Sequence, residues 1–337
     1  MGVDLFDLPT IWAAIIAFAI LAYVVLDGFD LGIGILFPLF PDDHDRDVMT
    51  NSIAPVWDGN ETWLVMGGGG LMAVFPLAYA TVLPALYVPI ILMLLGLIFR
   101  GVAFEFRFRT KRWRRVWDWG FALGSLVAAA MQGIALGALV QGIRIENREY
   151  AGGWWDWLTP FSMLTALALV VGYALLGSTW LNMKTSGLLQ AKSKRIAVVT
   201  AVGTVALIGV VSLWSAFLVP VYFERWFAFP TAFFSAFVPA LIAGCAGLLY
   251  FGLVRDRHLM PFLAALGLFV LSFAGLGISF YPYIVPGQLT IAEAAAPKES
   301  LEFLLVGAVF LIPIILAYTA YAYWVFRGKV DPNEGYH

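Results

Sequence analysis

The sequence predicts an all-α, polytopic membrane protein, and three observations carry that prediction. Hydrophobic residues fill 61% of the 337 positions against 12% charged, and the mean hydropathy of +0.86 lies far above that of a water-soluble domain. The apolar residues come in runs of helix-spanning length, not in short alternating stretches. Lys and Arg collect in every second connection, as the positive-inside rule requires of a multi-span chain.

A hydrocarbon core about 30 Å thick takes roughly 20 residues of helix. With that ruler the chain divides into nine spans, at 10–36, 53–75, 80–105, 117–142, 158–181, 196–219, 229–253, 259–283 and 301–326. Pro76 and Pro84 break the chain between the second and third. The longest polar gaps are 37–52, 143–157 and 284–300, so a single integral membrane domain over 1–337 is expected. No Lys or Arg precedes Arg46 and the first apolar run is too long for a signal-peptide core, so that segment is expected to stay as a helix. YVVLDGFDL in the first span is echoed by YALLGSTWL in the fifth. The echo suggests two parallel four-helix units, 1–142 and 158–283, with 301–326 as a peripheral ninth helix.

Orientation follows from the basic residues. With the amino terminus outside, inner segments hold fifteen of the twenty Lys and Arg, including the run FRFRTKRWRR, and outer segments hold four. The carboxy terminus is then cytoplasmic, which also requires an odd number of spans. The net charge of −2 says little about partners, since placement of charge matters more than its sum, and no basic surface field suggests nucleic acid. A lone cysteine, Cys245 in LIAGCAGLLY, excludes an internal disulfide and reads as a packed small residue.

The intramembrane charges carry the functional argument. Asp27 and Asp30 in LDGFDLGIG stand three apart and share one helix face. An Asp near the bilayer centre costs about 2.5–3.5 kcal/mol on insertion scales, so both must face protein or water. Two close like charges at low dielectric resist simultaneous ionisation, the property a proton carrier near neutral pH needs. The alternative is structural: hydrogen bonds to helix backbones or to a partner's cation. Asp58 and Glu61 in WDGNETW repeat the spacing one helix later, where compensation of a helix dipole is the competing reading. Trp57 and Trp63 flank them and also suit interfacial anchors. Arg100 and Glu105 in FRGVAFEF suit an ion pair near a helix end. All six charges fall between mid-membrane and the inner face, as a cytoplasm-facing proton or ion inlet would. Tight helix packing accounts for GGGG at 67–70, and an aromatic belt with a helix stop for FYPYIVPG at 280–287.

The missing chemistry matters as much. His44, His258 and His337 all lie outside the spans, so the chain is poorly equipped to hold haem in the bilayer. No phosphate-binding glycine loop, Cys/His metal cluster or nucleophile–base motif is present. The residues alone describe a membrane proton or ion pathway without its own redox centre, and a secondary transporter with buried carboxylates is the alternative.

LDGFDLGIG, WDGNETWLV, FRGVAFEFR and FYPYIVPG, taken in this order, closely resemble subunit II of the cytochrome bd-type quinol oxidases, including the cyanide-insensitive branch. The resemblance runs from the first helix through the ninth and implies two four-helix bundles plus a peripheral helix. It implies a bacterial inner-membrane, respiratory oxidase whose haem b and haem d sit in subunit I, with quinol oxidised at the outer face. It also implies partnership with subunit I, membrane lipids and a small single-helix accessory subunit. Carried over by motif, Asp27, Asp30 and above all Asp58 become proton-route residues; Glu61 and Glu105 join them on the intramembrane charge alone. Trp57 and Arg100 become contacts for a structural quinone or lipid. Glu61 departs from the amide that family members can carry there, which weakens its claim to a required role.

Overall fold

The computed structural model describes residues 7–110, 112–229 and 231–331; Lys111 and His337, both used above, lie outside them. α1 (Leu8–Leu36) starts on an Asp7 cap, whose carboxylate accepts from Thr10 N at 2.8 Å. A 3₁₀ turn at Phe37–Leu39, carrying Pro38, ends it. The short polar α2 (Asp43–Asn51) follows, then α3 (Trp57–Val74), α4 (Pro76–Ala85), α5 (Tyr87–Arg109) and α6 (Arg114–Gln141). A two-residue hairpin, β1 (Ile145–Glu146) with β2 (Glu149–Tyr150), leads to α7 (Pro160–Lys184), which opens on a Thr159/Ser162 capping box. Next come α8 (Gly187–Ser215), α9 (Pro220–Phe227), α10 (Thr231–Ser235), α11 (Phe237–Val254) and α12 (Leu259–Phe280). A second hairpin, β3 (Tyr283–Val285) with β4 (Leu289–Thr290), precedes α13 (Ile291–Ala294) and α14 (Lys298–Val325).

Among the described residues, eight helices are long and apolar enough to cross a membrane: α1, α5, α6, α7, α8, α11, α12 and α14. The chain is a multi-pass membrane protein. The expected second span differs from the other eight. α3 has 18 residues, but Asp58, Asn60 and Glu61 in its opening turns dilute its apolar character. It nevertheless runs from the α2 end of the molecule to the end bearing the hairpins, where Ala296 N donates to Val74 O at 2.8 Å. The expected third span, 80–105, is cut by the short α4 and an irregular Leu86, so its long helix begins at Tyr87. Pro84 and Pro89 account for the break, since neither donates a backbone N–H.

α1 packs on α3, α6 and α7, α5 on α6, and α7 on α6, α8 and α12. The α1–α7 crossing is closed by glycine. A Cβ on Gly32 would overlap the Tyr173 carbonyl oxygen, and one on Gly177 would lie 2.5 Å from the Gly32 carbonyl carbon. Beside this crossing Phe29 stacks on Trp180 with centroids 4.1 Å apart. The GGGG run uses only two members for packing: Gly67 and Gly70 meet Ile20 and Ile16 of α1, while Gly68 and Gly69 face open space. α14 stands apart, with none of its most apolar 18-residue window buried. Its far end is tied down by the buried Lys184, whose ammonium donates to Phe326 O and, at 3.1 Å, to Gly328 O.

Candidate functional site

The charges of α1, α3 and α5 meet inside the molecule. Asp27 and Asp30 lie on the α1 face turned toward the interior, and both are completely buried. Arg100, on α5 and 1% exposed, places Nη1 2.7 Å from Asp27 Oδ1. Its Nη2 lies 3.4 Å from Glu61 Oε1 on α3, so one guanidinium bridges two carboxylates from different helices. Trp57 covers the group, its ring centroid 5.8 Å from the Arg100 guanidinium carbon, and leans on Phe104. A buried arginine among carboxylates is compensated charge, and the low dielectric strengthens every pairing within it.

Asp30 is held differently. Asn60 Nδ2 donates to Asp30 Oδ2 at 2.7 Å and to Leu26 O at 3.2 Å, while Tyr323 of α14 donates to Asn60 Oδ1 at 2.9 Å. The amide therefore links α1, α3 and α14 through one side chain. On the other side of Asp27, one helical turn back, the Tyr23 hydroxyl accepts from Gln132 Nε2 at 2.8 Å. Tyr173 of α7 donates to Gln132 Oε1, also at 2.8 Å. Gln132 thus joins the two tyrosines that head the repeated sequence segments. Among the described residues, Asp30 Oδ1 is enclosed without a protein donor.

Asp58 and Glu105 are not part of the buried cluster. Both are exposed, and neither pairs with Arg100. For Glu105 the reason is helical geometry: five residues turn the chain about 140° past Arg100, onto the opposite side of α5. The ion pair expected from FRGVAFEF is thus replaced by Arg100 with Asp27 and Glu61. Asp58 occupies the outward face of α3, one turn before the partly exposed Glu61. The carboxylates consequently form a graded series from surface to core: Asp58, then Glu61, then the fully buried Asp27 and Asp30.

A second network lies at the α2 end. The buried Arg107 donates to Asp118 Oδ1 at 2.7 Å and to Asp47 Oδ1 at 2.5 Å, Arg46 reaches Asp118 Oδ2 at 2.8 Å, and Arg114 also pairs with Asp47. It fastens α2 across the ends of α5 and α6. Burial opposes the Asp47 charge, but hydrogen bonds and charge from Arg114 and Arg107 outweigh that and hold its carboxyl below the usual range.

Sequence reading missed Asn60, Tyr323, Tyr23 and Gln132. Asn60 stood inside a motif chosen for its acids, and Gln132, an isolated amide in AAAMQGIAL, was itself a legible signal. The tyrosines carried none, because aromatic residues are common in apolar helices.

Among the described residues no group of three or more His, Cys, Asp or Glu is placed to hold a metal ion. His44 and His258 are exposed in connections at the α2 end, so they do not fit haem ligation within the spans. Fold and site define the class first: a helical, multi-pass membrane protein whose core holds compensated charge. The chain belongs to the family of cytochrome bd terminal oxidase subunit II, which it matches over residues 8–326. It is similar to cytochrome bd-I ubiquinol oxidase subunit 2 of Escherichia coli (strain K12), at 30% identity covering 98% of this chain and 97% of that protein. Cytochrome bd ubiquinol oxidase subunit 2 of Bacillus subtilis (strain 168) is 29% identical, with 97% and 98% covered. A solved chain described as the structure of bd oxidase from Geobacillus thermodenitrificans shares the fold. Its TM-score is 0.79 at 18% identity, covering 96% of this chain and 99% of that one. As a subunit II, the chain is a component of a membrane oxidoreductase and partners a subunit I.

Proposed function

We propose that this subunit scaffolds the haem-bearing subunit I of a quinol-oxidising bd oxidase and admits protons toward it from the cytoplasm. The observation that carries the reading is the graded carboxylate series. Asp58 is open to the surface, Glu61 stands behind it, and Asp27 and Asp30 are enclosed, with Arg100 compensating the charge. A proton taken up at Asp58 would pass to Glu61 and on to the buried pair, each step neutralising one carboxylate and restoring charge on the one before. Arg100 would supply the positive charge that compensates the cluster while protons pass through it.

Orientation completes the scheme. The α2 end gathers the Arg-rich connections and is taken as cytoplasmic, leaving the amino terminus outside and the carboxy terminus inside. α3 then serves as the second of nine spans: its 18 residues rise about 27 Å, close to the hydrocarbon thickness. α1, α3, α5 and α6 form the first four-helix unit, α7, α8, α11 and α12 the second, and α14 the peripheral helix. Asp58, Thr62, Val65 and Met72 line an outward face of α3 that suits a docked subunit better than lipid, because an exposed Asp is costly in hydrocarbon. Haem b and haem d would belong to subunit I, together with quinol oxidation. Trp57 and Arg100 would bound the place where a structural quinone or lipid contacts this chain. Glu105, turned away from the cluster, would have at most a surface role in proton capture.

The Asp58→Asn oxidase tests the reading. With haem content unchanged, oxygen consumption and voltage generation are expected to fall at least about tenfold, as for loss of a positioned proton carrier. Unchanged values would leave Asp58 with no essential proton role.

A further inference from the structure

At the end of the molecule opposite α2, a cavity of about 180 Å³ opens where the α4–α5 break meets the loop after the β1–β2 hairpin. Its walls include Tyr87, Tyr150, Trp154 and Trp157, with Gly152 and Gly153 between them. The aromatic side chains are arranged by contacts of their own. Trp157 is buried and donates its indole N–H to Trp154 O at 2.9 Å, and the Tyr87 and Trp154 rings stand 6.1 Å apart.

A carboxylate sits behind this wall: Asp156 does not line the cavity but bonds to two residues that do. Asp156 Oδ2 accepts from Gly153 N at 2.8 Å and from the Tyr150 hydroxyl at 3.3 Å, while that hydroxyl also donates to Gly153 O at 2.7 Å. The glycine pair makes this possible. A Cβ on Gly152 would lie 2.5 Å from Asp156 Oδ2, and one on Gly153 would lie 3.0 Å from Oδ1. Side chains at these positions would push the carboxylate off the loop.

We propose that this cavity binds the ammonium group of a phosphatidylethanolamine headgroup, held by the aromatic faces, with the Asp156 carboxylate behind the wall adding negative potential. Ring faces carry negative quadrupole charge and attract cations, and the carboxylate adds a full charge. Both repel phosphate, so the ammonium enters the cavity while the lipid's own phosphate stays outside it. A free alkylammonium has the same chemistry, but the exposed Trp154 and Trp155 beside the cavity suit the headgroup level of a bilayer, where a lipid supplies the cation at high local concentration. Placing the site in the outer leaflet rests on the orientation proposed above. The ligand chemistry does not.

The test uses the purified two-subunit oxidase in native mass spectrometry, titrated with phosphatidylethanolamine, phosphatidylglycerol or soluble ethanolamine. Phosphatidylethanolamine is expected to be retained about five-fold more strongly than phosphatidylglycerol. Asp156→Asn, which keeps an oxygen acceptor for Gly153 N, and Trp154→Ala should each abolish that preference without changing oxygen consumption. Equal retention of the two lipids, or a preference that survives both substitutions, would overturn the proposal. Saturable binding of ethanolamine with no preference between lipids would overturn the lipid assignment and leave an alkylammonium site. Displacement of the bound species by a short-chain quinone alone would mark a ring-binding pocket and also overturn it.

Discussion

Arg100 on α5 reaches Asp27 on α1 at 2.7 Å, with both side chains removed from solvent, and its second nitrogen lies 3.4 Å from Glu61 on α3. One cation therefore ties three helices together. Removing it leaves Asp27 without compensation where water cannot freely reach it, and takes the partner from the partly exposed Glu61.

Arg100→Met is expected to destabilise the assembled oxidase by about 3–5 kcal/mol, the usual result of breaking a buried pair from one side. Asp27→Asn combined with Arg100→Met should lose less than the two single losses added together. A double-mutant cycle on thermal unfolding of the purified complex measures the difference.

The glycine crossing of α1 and α7 makes a sharper structural prediction. Gly32→Ala should cost about 1–3 kcal/mol or more, because the new methyl group overlaps the Tyr173 carbonyl and both helices must separate. Gly247→Ala on α11, which meets nothing within 4 Å, should stay within about 0.5 kcal/mol. The melting temperatures of the two variants read the contrast.

Lys184 holds the end of α14, a helix with few other attachments. Lys184→Met keeps the apolar stem but removes the donors to Phe326 O and Gly328 O. Amide exchange at residues 326–330 should speed up, most visibly at Val330, whose N–H donates to Lys184 O at 2.9 Å. Unchanged exchange there would mean that packing alone holds the helix end.

The latch between α2 and the ends of α5 and α6 should respond to acid. Asp47 is held below the usual carboxylate range, so its contribution is complete above the unfolded value of about 3.9 and is lost as pH falls through the lower folded value. Hydrogen exchange of residues 43–51, followed downward from neutral pH, should stay slow until that window and then accelerate. Asp47→Asn should exchange faster throughout, with the acid step removed.

Much of this molecule was legible in its sequence. The apolar runs located the helices because a bilayer demands both a length and a composition, and neither depends on the neighbours. LDGFDLGIG and WDGNETW marked three members of the site for a similar reason, since intramembrane charge is costly enough to be kept only where it is used. The ends of elements were less legible. Pro84 and Pro89 jointly made a short helix and a break where one continuous span was expected, and the polar start of α3 left it less apolar than the eight clearer spans.

What the sequence determined by itself was the class of chain, the approximate positions of its helices and the presence of unusual charge on the first three spans. Only the tertiary structure decided which charges belong together. Arg100 turned from Glu105 to Asp27 and Glu61, and Tyr323 joined Asn60, the partner of Asp30, across 263 residues of chain. The physical reason is that hydropathy is a property of each residue in turn, whereas a charge network depends on which helix faces meet. Those faces are set by close approaches such as Gly32 against Gly177, which no linear pattern records.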